Sequence, residues 1–123
     1  MNVLLSIKPE FAFDIFTGRK RFEYRRTIFR ETVNRIIVYA SSPTKKVIGE
    51  FWIKDIFFED LDSLWCRTKR YSGITEEYFY SYFYDKDKGY AIKVGKIIQY
   101  HRARSLHDLY GIKAPQSFAY VDG

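Results

Sequence analysis

The chain has 123 residues, of which 20% are aromatic, and it carries a formal net charge of +6. This length is sufficient for one domain with its own hydrophobic core. The single cysteine, Cys66, excludes an intrachain disulfide, and the N-terminus lacks the basic and apolar regions of a signal peptide. No apolar run approaches the ~20 residues that a membrane span needs. We therefore expect a cytoplasmic protein with no membrane segment.

The positive charge is concentrated in one part of the chain. Residues 8–46 carry ten Lys and Arg against four Asp and Glu, whereas residues 47–123 carry eleven of each. A localised basic region attracts polyanions such as nucleic acid, although a solvated basic face has the same composition. The eleven Phe and eleven Tyr exceed the needs of one small core. A protein-interaction domain or homodimer that uses the aromatic segment 78–83 is therefore an open alternative.

Hydrophobic periodicity predicts a mixed α+β fold. A first helix begins at Pro9, where no amide hydrogen is needed, and ends at Gly18. Helical spacing predicts a second helix around 61–65, Thr75 is the predicted N-cap of a third, and 105–110 is a helical turn. Alternating or apolar runs predict strands at 3–7, 21–26, 35–40, 46–55, 90–94, 97–100 and 118–121.

A Gly-x-Lys-x-x-Glu-x-Arg pattern begins at Gly18, directly after the first helix, and continues into the second strand. Because side chains alternate along a strand, Phe22 and Tyr24 are expected to face the core and Glu23 and Arg25 to face away from it. The charged residues are then either surface ion pairs, worth about 0–1 kcal/mol each, or a carboxylate held among cations in a cleft. In a cleft, the glutamate accepts hydrogen bonds from a base edge and the arginine binds phosphate.

This pattern resembles the signature of the ASCH domains, a branch of the PUA-like β-barrels. Further segments also resemble that family, and with the motif they cover nearly the whole chain: 4–10, 39–43, 47–51, 90–95 and 115–118. The resemblance implies a small PUA-like β-barrel with flanking helices, in which residues 1–123 form a single domain. It also implies a cleft beside the motif that binds RNA or a nucleotide.

The candidate binding residues come from the motif and from segments expected near it. Lys8 precedes the first helix, whose N-terminal amides attract anions. Two serines follow a buried strand, and the tail is implied by the resemblance to form part of the wall. The predicted set is Lys8, Gly18, Lys20, Glu23, Arg25, Arg26, Ser41, Ser42, Gln116 and Ser117. We predict no cofactor and no metal site, since His101 and His107 do not have a metal-ligand spacing and Cys66 reads as a small core residue.

Enzymatic activity is an alternative to binding. Some proteins that this chain resembles deacetylate a modified cytidine, with a lysine, a threonine nucleophile and a later glutamate. Lys20 matches the lysine, but Glu23 occupies the threonine position and Ser72 lies where the glutamate is expected. We therefore expect no such deacetylation. Lys20 and Glu23 are instead candidates for acid–base cleavage of RNA through its 2′-hydroxyl.

Overall fold

Six β-strands and four short α-helices make up residues 1–122, which a computed structural model describes. The strands are β1 (Asn2–Ile7), β2 (Phe22–Arg25), β3 (Arg35–Ala40), β4 (Lys46–Asp60), β5 (Lys88–Arg104) and β6 (Phe118–Val121). The helices are α1 (Pro9–Phe16), α2 (Leu61–Thr68), α3 (Glu76–Tyr82) and α4 (Leu106–Tyr110), and a 3₁₀ turn follows α2 at Lys69–Tyr71. Gly123, the last residue of the predicted single domain, lies outside the described residues. Within residues 1–122, no helix has the length and apolar character required to cross a membrane.

The strands form one open sheet in the order β2-β5-β4-β3-β1-β6, with β1 and β3 parallel and the other pairs antiparallel. The predicted α+β class is confirmed, but the predicted barrel is wrong, because the sheet does not close. Closure requires every strand to pair on both sides. Within residues 1–122, β2 and β6 each pair on one side only, and both are four residues long.

The antiparallel pair of β4 and β5, which α2, the 3₁₀ turn and α3 separate in the chain, is longer than the sequence predicted. The strands span 15 and 17 residues, and the two strands expected on either side of Gly95 are one strand, β5. Its register against β4 shifts on both sides of Ile53. A Cβ at Gly95 would lie 2.9 Å from the Trp52 carbonyl oxygen, so this glycine permits a close backbone approach and does not end the strand.

A second core, made mainly of aromatic residues, attaches the helical insertion to β2. Its buried members are Phe22, Tyr24, Phe57, Leu64, Phe79, Phe83 and Ala91. The Phe79 ring packs edge-on against Tyr24, with ring centroids 5.3 Å apart. Thr75 caps α3 as predicted, since its Oγ1 accepts a hydrogen bond from the Tyr78 amide at 3.0 Å. Cys66 is exposed, so its predicted place in the core is wrong. The insertion thereby places α3 beside the motif strand.

Candidate nucleotide-binding pocket

A pocket of about 310 Å³ lies between the start of α1, β2, α3 and the segment that leads into β6. Its charged lining consists of three cations, Lys8, Lys20 and Arg25, and one carboxylate, Glu23. The remaining lining residues are Ser6, Ile7, Phe11, Tyr24, Ile74, Tyr78, Tyr82, Gln116 and Ser117. The pocket is therefore basic, with aromatic walls and several hydrogen-bonding groups.

Lys20 is almost completely buried, with 1% of its surface exposed. Gly18 ends α1 with a φ of +81°, and the Lys20 amide then donates to the Asp14 carbonyl oxygen at 3.0 Å, which turns the side chain inward. The Lys20 Nζ donates to the Ser72 carbonyl oxygen at 2.7 Å and lies 4.9 Å from the centre of the Tyr24 ring. Burial lowers the pKa of Lys20, and attraction to Glu23 and Asp14 opposes this shift.

Glu23 and Arg25 lie on the pocket side of β2 and are also largely buried. Glu23 is 6% exposed and the Arg25 side chain 12%. The Arg25 Nη1 donates to Glu23 Oε2 at 3.3 Å, and its Nη2 donates to the Ser117 Oγ. Glu23 and Arg25 were expected to face away from the core, but their side of β2 is also covered, so they line a pocket and not an open surface. The pair presents a charge-assisted hydrogen-bonding surface made of largely buried groups.

Lys8 and Tyr78 form the outer rim of the pocket. The Lys8 Nζ donates to the Tyr78 hydroxyl at 3.1 Å, and this hydrogen bond raises the pKa of Lys8. Phe11 packs edge-on against Tyr78, with ring centroids 5.4 Å apart. Tyr82 is fixed deeper in the wall, since its hydroxyl donates to the Tyr24 carbonyl oxygen at 3.1 Å. The rim thus combines a cation with aromatic faces, which suits a nucleotide.

Ser72 and Gly73 hold Lys20 in position. The Arg21 amide donates to the Tyr71 carbonyl oxygen at 2.8 Å and ties the 3₁₀ turn to the start of β2. Gly73 has a φ of +69°, and a Cβ there would lie 2.8 Å from both the Cβ and the Cγ of Lys20. These atoms are the inner end of the lysine side chain and cannot swing away. Gly73 is therefore required by its backbone conformation and by its contact with Lys20.

Gly73→Ala is expected to lower the free energy of unfolding by about 2–4 kcal/mol, through the left-handed conformation and overpacking against Lys20. Gly111→Ala is the matched control, since Gly111 has a similar φ of +64° and its nearest neighbouring atom, the His107 carbonyl oxygen, is 4.0 Å away. The control should lose only about 1–2 kcal/mol. Denaturant unfolding measures both values, and equal losses would show that the Lys20 contact has no energetic effect.

The structure brings six of the ten predicted binding residues into this pocket: Lys8, Lys20, Glu23, Arg25, Gln116 and Ser117. Gly18 forms the turn after α1. Arg26 pairs with Asp85, and its Nη1 donates to the Tyr82 carbonyl oxygen at 2.9 Å. Ser41 and Ser42 belong to the turn after β3 and do not line the pocket. Whether the six residues bind a ligand stays a prediction.

Sequence reasoning missed the aromatic part of the pocket. Phe11, Tyr78 and Tyr82 all line the cavity, but none of them is among the ten predicted binding residues. The four-residue spacing of Tyr78 and Tyr82 on α3 is a usable signal, because it places both hydroxyl-bearing rings on one face of the helix.

The open six-stranded sheet with its flanking helices is the fold of the known ASCH structures. The ASCH domain model matches residues 5–112, and the chain belongs to the ASCH domain family. The crystal structure of ASCH from Zymomonas mobilis superposes with a TM-score of 0.90 at 29% identity, covering 98% of this chain and 87% of that chain. Crystal structures of two single-residue variants of that protein give the same TM-score of 0.90.

Two curated relatives extend this comparison. An ASCH domain-containing ribonuclease from Zymomonas mobilis is 35% identical over 91 residues, which cover 73% of this chain and 62% of the relative. The large ribosomal subunit protein uL22 of Ureaplasma parvum serovar 3 is 29% identical over 121 residues, which cover 98% of this chain and 39% of the relative. The chain therefore spans less than two thirds of either protein.

Proposed function

We propose that the protein, acting as one ASCH domain, binds single-stranded RNA and takes one nucleotide into the pocket beside β2. The observation that carries this proposal is the buried group of Lys20, Glu23 and Arg25 in a pocket whose lining cations outnumber its carboxylate three to one. The resemblance to a relative named as a ribonuclease supports RNA as the ligand.

The size and chemistry of the pocket suit a nucleotide. Its volume of about 310 Å³ is at the lower end of the ~300–1,000 Å³ that is usual for small-ligand sites. Arg25 and Lys20 offer donors to a phosphate, and Phe11 and Tyr78 offer aromatic surface to a base. A base reaches such a pocket only when it is unstacked, which favours single-stranded RNA over a duplex.

Arg25→Gln is expected to weaken binding of a fluorescent single-stranded RNA by about tenfold or more, because a charge-assisted hydrogen bond contributes about 1.5–3 kcal/mol. Arg19→Gln is the matched control, since Arg19 is 72% exposed and lies 4.0 Å from its only ion-pair partner within residues 1–122, Asp14. It should change affinity by less than about threefold. Fluorescence anisotropy measures both variants, and equal losses would remove the pocket from the proposal.

Cleavage of the bound RNA is a second candidate function, favoured by the carboxylate beside two cations and by the similarity to a ribonuclease. Glu23 would accept the proton of a 2′-hydroxyl, whose oxygen then attacks the adjacent phosphorus. Lys20 and Arg25 would stabilise the charge on the phosphoryl oxygens.

The departing 5′-oxygen then requires a proton. The ammonium of Lys8, at the rim of the pocket beside the Tyr78 hydroxyl, is the candidate donor of this proton. The products are a 2′,3′-cyclic phosphate and a 5′-hydroxyl, and a substrate with a 2′-deoxy nucleotide at the cut position should resist cleavage.

The predicted homodimer and protein-interaction role stay predictions. The aromatic segment that suggested them is occupied within this chain, because Phe79 and Phe83 are fully buried and Tyr78 and Tyr82 line the pocket.

A further inference from the structure

A second concave surface, here called the basic groove, lies between the end of α2 with its 3₁₀ turn and the irregular part of the β4–β5 strand pair. Its volume is about 800 Å³, and Lys20 lines both the groove and the pocket. Besides Lys20, six cationic residues line it: Arg21, Lys54, Arg67, Arg70, Lys93 and Lys96. Within residues 1–122, no Asp or Glu lines this groove.

Of these six cations, five make neither a salt bridge nor a hydrogen bond through their side chains within residues 1–122, whereas Arg67 pairs with Glu59. The arginines elsewhere that face carboxylates, such as Arg26 and Arg35, are paired with them. The groove thus gathers several cations into one concave surface without a lining carboxylate, and these cations repel one another unless an anion lies between them.

The floor of the groove is aromatic. The Arg21 guanidinium lies 4.1 Å from the centre of the Tyr71 ring, and the Lys96 Nζ lies 5.7 Å from the centre of the Trp52 ring. The register shifts around Ile53 and the close approach at Gly95 shape this part of the β4–β5 strand pair and set the direction of its side chains. Cations over half-buried aromatic rings form the surface that proteins use for single-stranded nucleic acid without sequence preference.

We propose that the basic groove binds the phosphate backbone of the same RNA strand beyond the nucleotide held in the pocket. This inference rests on the proposed function and extends it, since the strand would pass from pocket to groove at Lys20. Most of the groove cations come from residues 47–123, whose net charge is zero. The groove was therefore not predictable from the charge pattern of the sequence, because the fold brings together cations that are far apart in a region without net charge.

The test compares two triple variants with the same charge change. The groove variant carries three substitutions in the basic groove, Lys54→Glu, Arg70→Glu and Lys96→Glu. The control variant carries three at exposed lysines outside both the pocket and the groove, Lys45→Glu, Lys46→Glu and Lys113→Glu. Three reversals change the charge by six, so the net charge of +6 falls to zero in each. Both variants are titrated by anisotropy or calorimetry at several salt concentrations. The ligands are uridine monophosphate and an oligouridylate long enough to span the pocket and the groove.

The groove variant should lose at least about tenfold in affinity for the oligouridylate. The magnitude of the slope of log K against log salt should also decrease by about 2, because each of the three lost phosphate contacts contributes about 0.7. Its affinity for uridine monophosphate should stay within about twofold. The corresponding Gln triple variant should show a smaller loss of the same kind. An unchanged oligouridylate affinity in the groove variant, or an equal loss in the control triple variant, would overturn the proposal that the groove binds RNA.

Failure of the pocket and failure of the groove are distinguishable. If the groove variant loses oligouridylate binding while Arg25→Gln binds fully, the proposed binding in the pocket is wrong and the proposed binding in the groove is supported. The reverse pattern would keep the pocket alone. A wild-type protein that binds no oligouridylate at low salt would overturn both.

Discussion

Lys20→Met is expected to weaken RNA binding by about 100-fold, since removing one partner of a desolvated charged contact costs about 2–5 kcal/mol. The same variant should unfold with a free energy within about 1 kcal/mol of the wild type. Together these results would make Lys20 a residue that serves binding without contributing to stability.

The small stability effect follows from the burial of the amine. Lys20 is 1% exposed, and burial lowers its pKa, so the protonated side chain is held at a cost. A methionine of similar length would keep the packing against Phe11 and Tyr24 and remove that cost. It would also remove the hydrogen bond to the Ser72 carbonyl oxygen, and an unpaired buried acceptor costs about 1–3 kcal/mol. The two effects oppose each other.

Lys113→Met is the control, since Lys113 is exposed and lines neither the pocket nor the basic groove. It should bind RNA as the wild type does and unfold at the same denaturant concentration. Equilibrium unfolding and anisotropy on the same preparations check both properties. A Lys20→Met protein that binds RNA normally would show that the buried amine is purely structural, and the proposed pocket would lose its central cation.

Glu23→Gln is expected to slow cleavage of single-stranded RNA by about 10²–10⁴-fold, the usual contribution of a general base, if the second candidate function is correct. The amide has nearly the shape of the carboxylate but cannot accept the 2′-hydroxyl proton. Affinity for an uncleavable RNA with 2′-deoxy nucleotides should change much less than the rate. Electrophoresis of end-labelled products gives the rate, and anisotropy gives the affinity.

Glu31→Gln is the control for this variant, since Glu31 is exposed and does not line the pocket. Wild-type protein and Glu31→Gln should cleave at the same rate and produce 2′,3′-cyclic ends. Cleavage that survives in Glu23→Gln would assign the base to another residue or the activity to a contaminating nuclease. No cleavage by the wild-type protein would leave RNA binding as the function.

Local sequence signals predicted most elements of the fold correctly. Pro9 and Gly18 bound the first helix, and Thr75 caps α3, because these positions depend on backbone preferences within a few residues. The open sheet was not predictable in this way. Whether β2 and β6 pair depends on how the whole sheet twists, and the alternation within a strand is the same in a barrel and in an open sheet.

The charged half of the pocket followed from the motif, but its burial did not. Lys20 reads as a surface residue in the sequence, since nothing near it in the chain shows that Ser72 and Gly73 will cover it. The partners Lys8 and Tyr78 are 70 residues apart, and Arg25 and Ser117 are 92 residues apart. Such contacts arise from tertiary packing, and short-range patterns carry little information about them.

The contact between Arg25 and Ser117 connects one edge strand of the sheet to the segment that leads into the other. A molecule bound between them would act as a non-covalent staple across the open side of the sheet, and it would tie the C-terminal tail to the motif. The family match ends at residue 112, before Ser117, so this staple uses a part of the chain outside the matched region. Binding energy would then appear as slower hydrogen exchange in β6, far along the chain from the motif that defines the family.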